Sequence, residues 1–147
     1  HRTFAIPRSP GFTEITLGQV APEEAIRRTN VPGLSVLPSG VAPPSPAELL
    51  GSERVRRLFE ELSAGVDIMI VDAPPVLLAS DASVLARLVD GMIMVVRAGQ
   101  TDRVAAQHAR QQLDAVGANI IGAVLNDPDA ELQRYGSYYS EGYYGEN

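Results

Sequence analysis

Apolar positions along the chain fall into two spacings, and each predicts a different element. Val55, Leu58, Phe59 and Leu62 recur every three or four residues and predict a helix over 52–62. Ala106, Ala109, Leu113 and Val116 do the same in a helix that Thr101 or Asp102 caps and Gly117 ends. Three short runs instead show no alternation: 66–71, apolar from Ile68 to Val71, 91–96 and 120–125. With no polar face to show to water, they predict strands of a parallel sheet covered on both sides.

Weaker signals fill the rest. Phe12 to Leu17 predicts a short helix closing at Gly18, and a second spans 22–28, with Pro22 and acids at its start and Arg27 and Arg28 at its end. A short strand is expected over 34–37, bounded by Pro-Gly and Pro-Ser-Gly. The proline-rich stretch 41–47 is expected as a loop, neither helix nor inner strand. Ser80 and Asp81 are expected to cap a helix whose Val84, Leu85 and Leu88 face inward. Residues 1–11 carry no signal for regular structure. From residue 52 onward, helices and strands alternate, which predicts an α/β fold: a parallel sheet with flanking helices.

Composition narrows the chemistry. A net charge of −6 argues against a nucleic-acid-binding face, and the absence of cysteine excludes disulfides and thiolate metal sites. No apolar run approaches the ~20 residues of a membrane helix. All basic side chains apart from the histidines are arginine, so a phosphate loop ending in Gly-Lys-Ser/Thr does not occur in this sequence. A chain that begins at His1 rather than Met is expected to be cut from a longer one.

Asp72 is the leading candidate for catalysis. It ends the apolar run at 66–71, and Pro74 and Pro75 follow it and forbid further ladder pairing. At the carboxyl end of a parallel strand, an aspartate stands where nucleotide enzymes position Mg²⁺. Arg97 and Asn126 end the other two expected strands, so all three are expected to leave the same edge of the sheet and converge on a ligand. Asn126-Asp127-Pro128-Asp129 has the outline of a guanine-reading Asn-x-x-Asp, but Asp127 stands where lysine is usual, and guanine is discounted. His108, inside a helix, is assigned no catalytic role.

From residue 131 the pattern changes. Tyr135, Tyr138, Tyr139, Tyr143 and Tyr144 are all the tyrosines of the protein, and glycine and serine separate them. Residues 1–130 are therefore read as one domain and 131–147 as a flexible tyrosine-rich tail, whose hydroxyls can enter another protein's active site as phosphate acceptors.

Taken together, Pro43-Pro-Ser-Pro-Ala-Glu-Leu-Leu50, Val71-Asp-Ala-Pro-Pro75, Ser80-Asp81-Ala82, Val89-Asp-Gly91, Val95-Val-Arg-Ala-Gly99, Gly122-Ala-Val-Leu-Asn126 and the tyrosine-rich end resemble the cytoplasmic domain of bacterial tyrosine kinases, the BY-kinases of capsular and exopolysaccharide synthesis. The resemblance implies a P-loop NTPase-like fold related to MinD and ParA, truncated at its N-terminus. It implies ATP and Mg²⁺ as cofactors, Asp72 as the catalytic and metal-site aspartate, Arg97 and Asn126 as cofactor-binding residues, and the five tyrosines as acceptors phosphorylated in trans. Implied partners are neighbouring kinase domains in a homo-oligomer, a membrane chain-length regulator, fused or separate, and a tyrosine phosphatase, but no nucleic acid. The implied place is the cytoplasmic side of the bacterial membrane. The family's Walker A lysine, Walker A′ aspartate and ring-forming helix have no counterpart in these residues, so this chain alone is expected to bind MgATP poorly, transfer no phosphate and oligomerise weakly. The alternatives are a non-catalytic regulatory module of polysaccharide assembly with the same fold, and a MinD/ParA-like ATPase, which has no need of clustered tyrosines.

Overall fold

The computed structural model describes residues 1–127, which form two compact units divided between Val71 and Asp72. The tail tyrosines lie outside the described residues.

The first unit holds helices α1 (Phe12–Leu17), α2 (Pro22–Ala25), α3 (Pro46–Leu50) and α4 (Glu53–Ala64), with strands β1 (Arg27–Arg28) and β2 (Ser35–Val36). Helix α4 forms where its apolar stripe predicts. Ser52 caps it by accepting the Val55 N–H at 3.3 Å, and Val55, Leu58 and Phe59 are buried. Its opposite face is charged: the hydrogen bond and charge of Arg56, then those of Arg57, hold the Glu53 carboxyl down at about 2. Ile15, Ala25 and Leu58 form the core, with Phe12, Val20, Leu37 and Leu62 packed on it. Phe12 and Phe59 meet edge to face with centroids 6.1 Å apart.

One buried carboxylate ties the loops of this unit together. Glu14, at the third position of α1, accepts the Ser9 hydroxyl at 2.7 Å and the backbone N–H groups of Gly11 and Val41 at 2.9 and 3.1 Å. The Ser9 hydroxyl lowers its pKa most, burial opposes, and the two amides help carry it down to about 2. Gly40 closes over the same group with φ of 80°, and a Cβ there would lie 1.9 Å from Glu14 Oε2. Only glycine fits.

Because folding lowers this pKa, the stability Glu14 contributes is complete above its ordinary value of 4.5 and is lost as pH falls from there towards about 2. The wild-type melting temperature should therefore exceed that of Glu14→Gln at about pH 6, with the gap closing by about pH 2.5. A gap constant across that range would refute the assignment.

The second unit contains α5 (Asp81–Leu85), β3 (Met92–Arg97), α6 (Arg103–Ala115) and β4 (Ile120–Asn126). Asp102 caps α6 by accepting the Ala105 N–H at 2.7 Å, and Gly117 leaves the helix end with φ of 73°. Strands β3 and β4 pair in parallel across the helical crossover. After one register shift following Met92, the ladder runs from Ile93 opposite Gly122 to Arg97 opposite Asn126. Ala82, Leu85, Ala98 and Leu113 are buried. Gln112 Nε2 donates to the Val76 carbonyl at 3.3 Å, which fastens α6 to the segment before α5.

Five sequence expectations are corrected. The run at 66–71 is not a strand: Ile68 and Ile70 are 79% and 89% exposed. An apolar run becomes a strand only when another strand takes its backbone groups, and none among the described residues does. The expected series of strand–helix–strand units is consequently a single one, β3–α6–β4. That pair is not covered on both sides either, since Ile93 and Val95 of β3 and Ile121, Val124 and Leu125 of β4 are exposed. The helix expected over 22–28 stops at Ala25, because Arg27 and Arg28 turn extended and pair antiparallel with Val36 and Ser35, the inner part of the strand expected over 34–37. Finally, Pro46 and Ala47 are helical, since proline fits the first helical position, whose N–H has no intrahelical acceptor.

Candidate functional site at the carboxyl ends of β3 and β4

Ligands of open α/β sheets gather where parallel strands end, and here β3 and β4 deliver Arg97 and Asn126 opposite each other. The guanidinium of Arg97 does not stand free. Its Nε and Nη2 donate to Oδ2 of Asp127 at 3.0 and 2.8 Å, and Nη1 donates to Gln100 Oε1 at 3.4 Å. The backbone is tied as well: the Arg97 N–H donates to Thr101 Oγ1 at 3.0 Å and the Ala98 N–H to the Asn126 carbonyl at 3.0 Å. Asp127 sits in the left-handed region with φ of 56°, and its N–H donates to Asn126 Oδ1 at 3.0 Å. That bond fixes the amide assignment, because only the carboxamide oxygen can accept from a backbone N–H.

Energetics indicate what the pair is for. Arg97 and Asp127 side chains are 53% and 38% exposed, and such a pair is worth only about 0.2–1 kcal/mol. A non-glycine residue in left-handed backbone costs about 1–2 kcal/mol, less for aspartate. The pair offsets a local strain without adding net stability, so its effect is geometric.

Asp72 lies elsewhere in its chemistry. It opens the second unit in an exposed stretch without regular structure, and it makes no hydrogen bond or ion pair among the described residues. Arg97 and Asn126 are therefore brought together, and no hydrogen bond or ion pair among the described residues links Asp72 to them. No group of three His, Asp or Glu among the described residues can hold a metal ion. His108 is exposed on α6.

Sequence reasoning missed Asp127 as a partner of Arg97 and missed Glu14 altogether. Opposite charges at the ends of two neighbouring strands, Arg97 as the last residue of β3 and Asp127 just after β4, were the available signal for the first. For the second it was a glutamate three residues after a glycine that opens a helix.

The fold and this constellation are those of an α/β domain with a polar cluster at its strand ends. No protein-family model matches the chain. Tyrosine-protein kinase YwqD of Bacillus subtilis is 34% identical over 145 residues, covering 99% of this chain and 59% of that protein. Among solved structures, the kinase domain of the Escherichia coli tyrosine kinase ETK superposes with a TM-score of 0.82 at 35% identity, over 86% of this chain and 50% of that one. The VpsO kinase domain gives 0.81 at 31% identity, over 86% and 63%. Over nearly its whole length, the chain is thus a relative of bacterial tyrosine kinases in sequence and in fold, as its motifs indicated. It spans about three fifths of the length of curated relatives such as YwqD, and 63% of CapB of Staphylococcus aureus. Among the described residues no helix is long and apolar enough to cross a membrane.

Proposed function

We propose that this chain is part of an ATP-dependent protein-tyrosine autokinase that regulates the length and export of capsular or exopolysaccharide. The observation that carries this reading is the 34% identity to a tyrosine-protein kinase across 99% of the chain. The strand-end cluster agrees with it, since it sits where α/β domains take nucleotides. In this reading Asn126 faces the nucleotide base, Asp72 serves the metal side of the site, and the tail tyrosines accept phosphate from a neighbouring subunit.

The residues that cradle phosphate and complete the metal site belong to segments that the relatives have and the match leaves uncovered. The fold is then P-loop NTPase-like, related to MinD and ParA. Oligomerisation with like domains, a membrane chain-length regulator and a tyrosine phosphatase complete the proposed setting, on the cytoplasmic side of the membrane. A non-catalytic regulator with the same fold is the competing reading.

A chimera decides between them. This chain is completed with the residues of YwqD that lie outside the match, and phosphotyrosine formed from MgATP is measured. The 147-residue chain alone is expected to form none, and the chimera to form it readily. Asp72→Asn is expected to lower the chimera's rate by about tenfold or more. An inactive chimera in which the rest of YwqD folds, or an Asp72→Asn variant as active as its parent, removes the catalytic reading and leaves the regulator.

A further inference from the structure

We propose that Arg97 and Asp127 act as a positioning latch for Asn126, and that neither contacts phosphate. The inference rests on the nucleotide-facing reading of Asn126 given above and extends it to two residues whose role differs from simple charge recognition. Arg97 is committed twice to one carboxylate oxygen, at 3.0 and 2.8 Å, so its charge is already answered within the protein. The residue that answers it is the one whose N–H holds the Asn126 oxygen at 3.0 Å and whose backbone is held left-handed. Pulling Asp127 towards β3 therefore sets the rotation of the Asn126 carboxamide. Its oxygen is half used, its NH₂ remains, and the exposed side chain offers a donor and a remaining lone pair side by side. A carboxamide fixed in that way matches the adenine edge, which presents N7 as acceptor and the 6-amino group as donor. The Thr101 hydroxyl and the Asn126 carbonyl, bonded to the N–H groups of Arg97 and Ala98, keep the loop after β3 in place for this contact.

The test uses two proteins and two readouts. In the 147-residue chain, Arg97→Gln is expected to shift the side-chain amide resonances of Asn126 and the backbone amide of Asp127, with the melting temperature nearly unchanged. In the chimera described above, Arg97→Gln and Asp127→Leu should raise KM for ATP at least about fivefold more than they lower kcat, and narrow the preference for ATP over GTP. The charge-reversed double variant Arg97→Asp/Asp127→Arg should recover part of that loss. Unmoved Asn126 resonances in Arg97→Gln overturn the latch, whether or not the chimera binds nucleotide. Moved resonances with unchanged KM and base preference overturn its role in nucleotide recognition. A chimera that binds no nucleotide at all refutes the kinase reading instead, and the resonances alone then decide the latch.

Discussion

Incubated with an active bacterial tyrosine kinase such as YwqD and MgATP, the 147-residue chain is expected to gain phosphotyrosine, and the variant with Phe at Tyr135, Tyr138, Tyr139, Tyr143 and Tyr144 to fall to background. The expectation follows from distribution rather than from any one residue. Five tyrosines fall within the last 13 residues and none in the preceding 134, so packing demands of the domain do not account for them. Each phosphate brings about −1.5 to −2 charges at neutral pH. Five of them add about −7.5 to −10 to a chain whose net charge is −6. Neighbouring tails within a Debye length of about 8–10 Å then repel, and the effect weakens as salt is added. Phosphorylation should for this reason loosen any assembly of the kinase, more at low than at high ionic strength. Phosphate found mainly on Ser or Thr, or a five-Phe variant labelled as well as the parent, would leave the tail as a docking segment and return the regulator reading to first place.

What the sequence revealed depended on how local the determinant was. Helices α4 and α6 were legible because a stripe, a capping residue and a terminating glycine all lie within one short stretch. Strands β3 and β4 were legible for a similar reason, and with them the juxtaposition of Arg97 and Asn126, which follows from two parallel strands ending together. Of the ribbon, β2 was legible and β1 was not: two arginines carry no apolar signature, and their extended shape comes from pairing with residues 35 and 36. Asp127 escaped because its partner Arg97 is 30 residues away, and the same holds for the contact of Glu14 with Val41, 27 residues away, although its bonds to Ser9 and Gly11 are local. The proline-rich loop misled in the other direction, since Pro46 starts a helix where proline at an inner position would end one.

The run at 66–71 was read as a strand from its composition, and in this structure it is a largely exposed segment without regular structure. Both observations follow from the proposal made above, in which segments outside the match complete the domain: the side chains of the run are those of a buried strand, and its pairing partner is one of those segments. Ile70→Asp separates this from a plain surface loop. At 89% exposure, Ile70 contributes little in the 147-residue chain, and the substitution should change stability by no more than about 0.5 kcal/mol. In the YwqD chimera, the same aspartate would be an unpaired charge inside a sheet, at a cost of several kcal/mol, enough to prevent folding or phosphotransfer. Amide exchange gives an independent check that needs no substitution. The amides of Asp67 to Val71 should exchange at nearly the unfolded rate in the 147-residue chain and be slowed by orders of magnitude in the chimera. A variant equally harmless in both proteins, with exchange equally fast, would mean that the apolar run stays outside the sheet, and Asp72 would lose the strand that is needed to deliver it to the site.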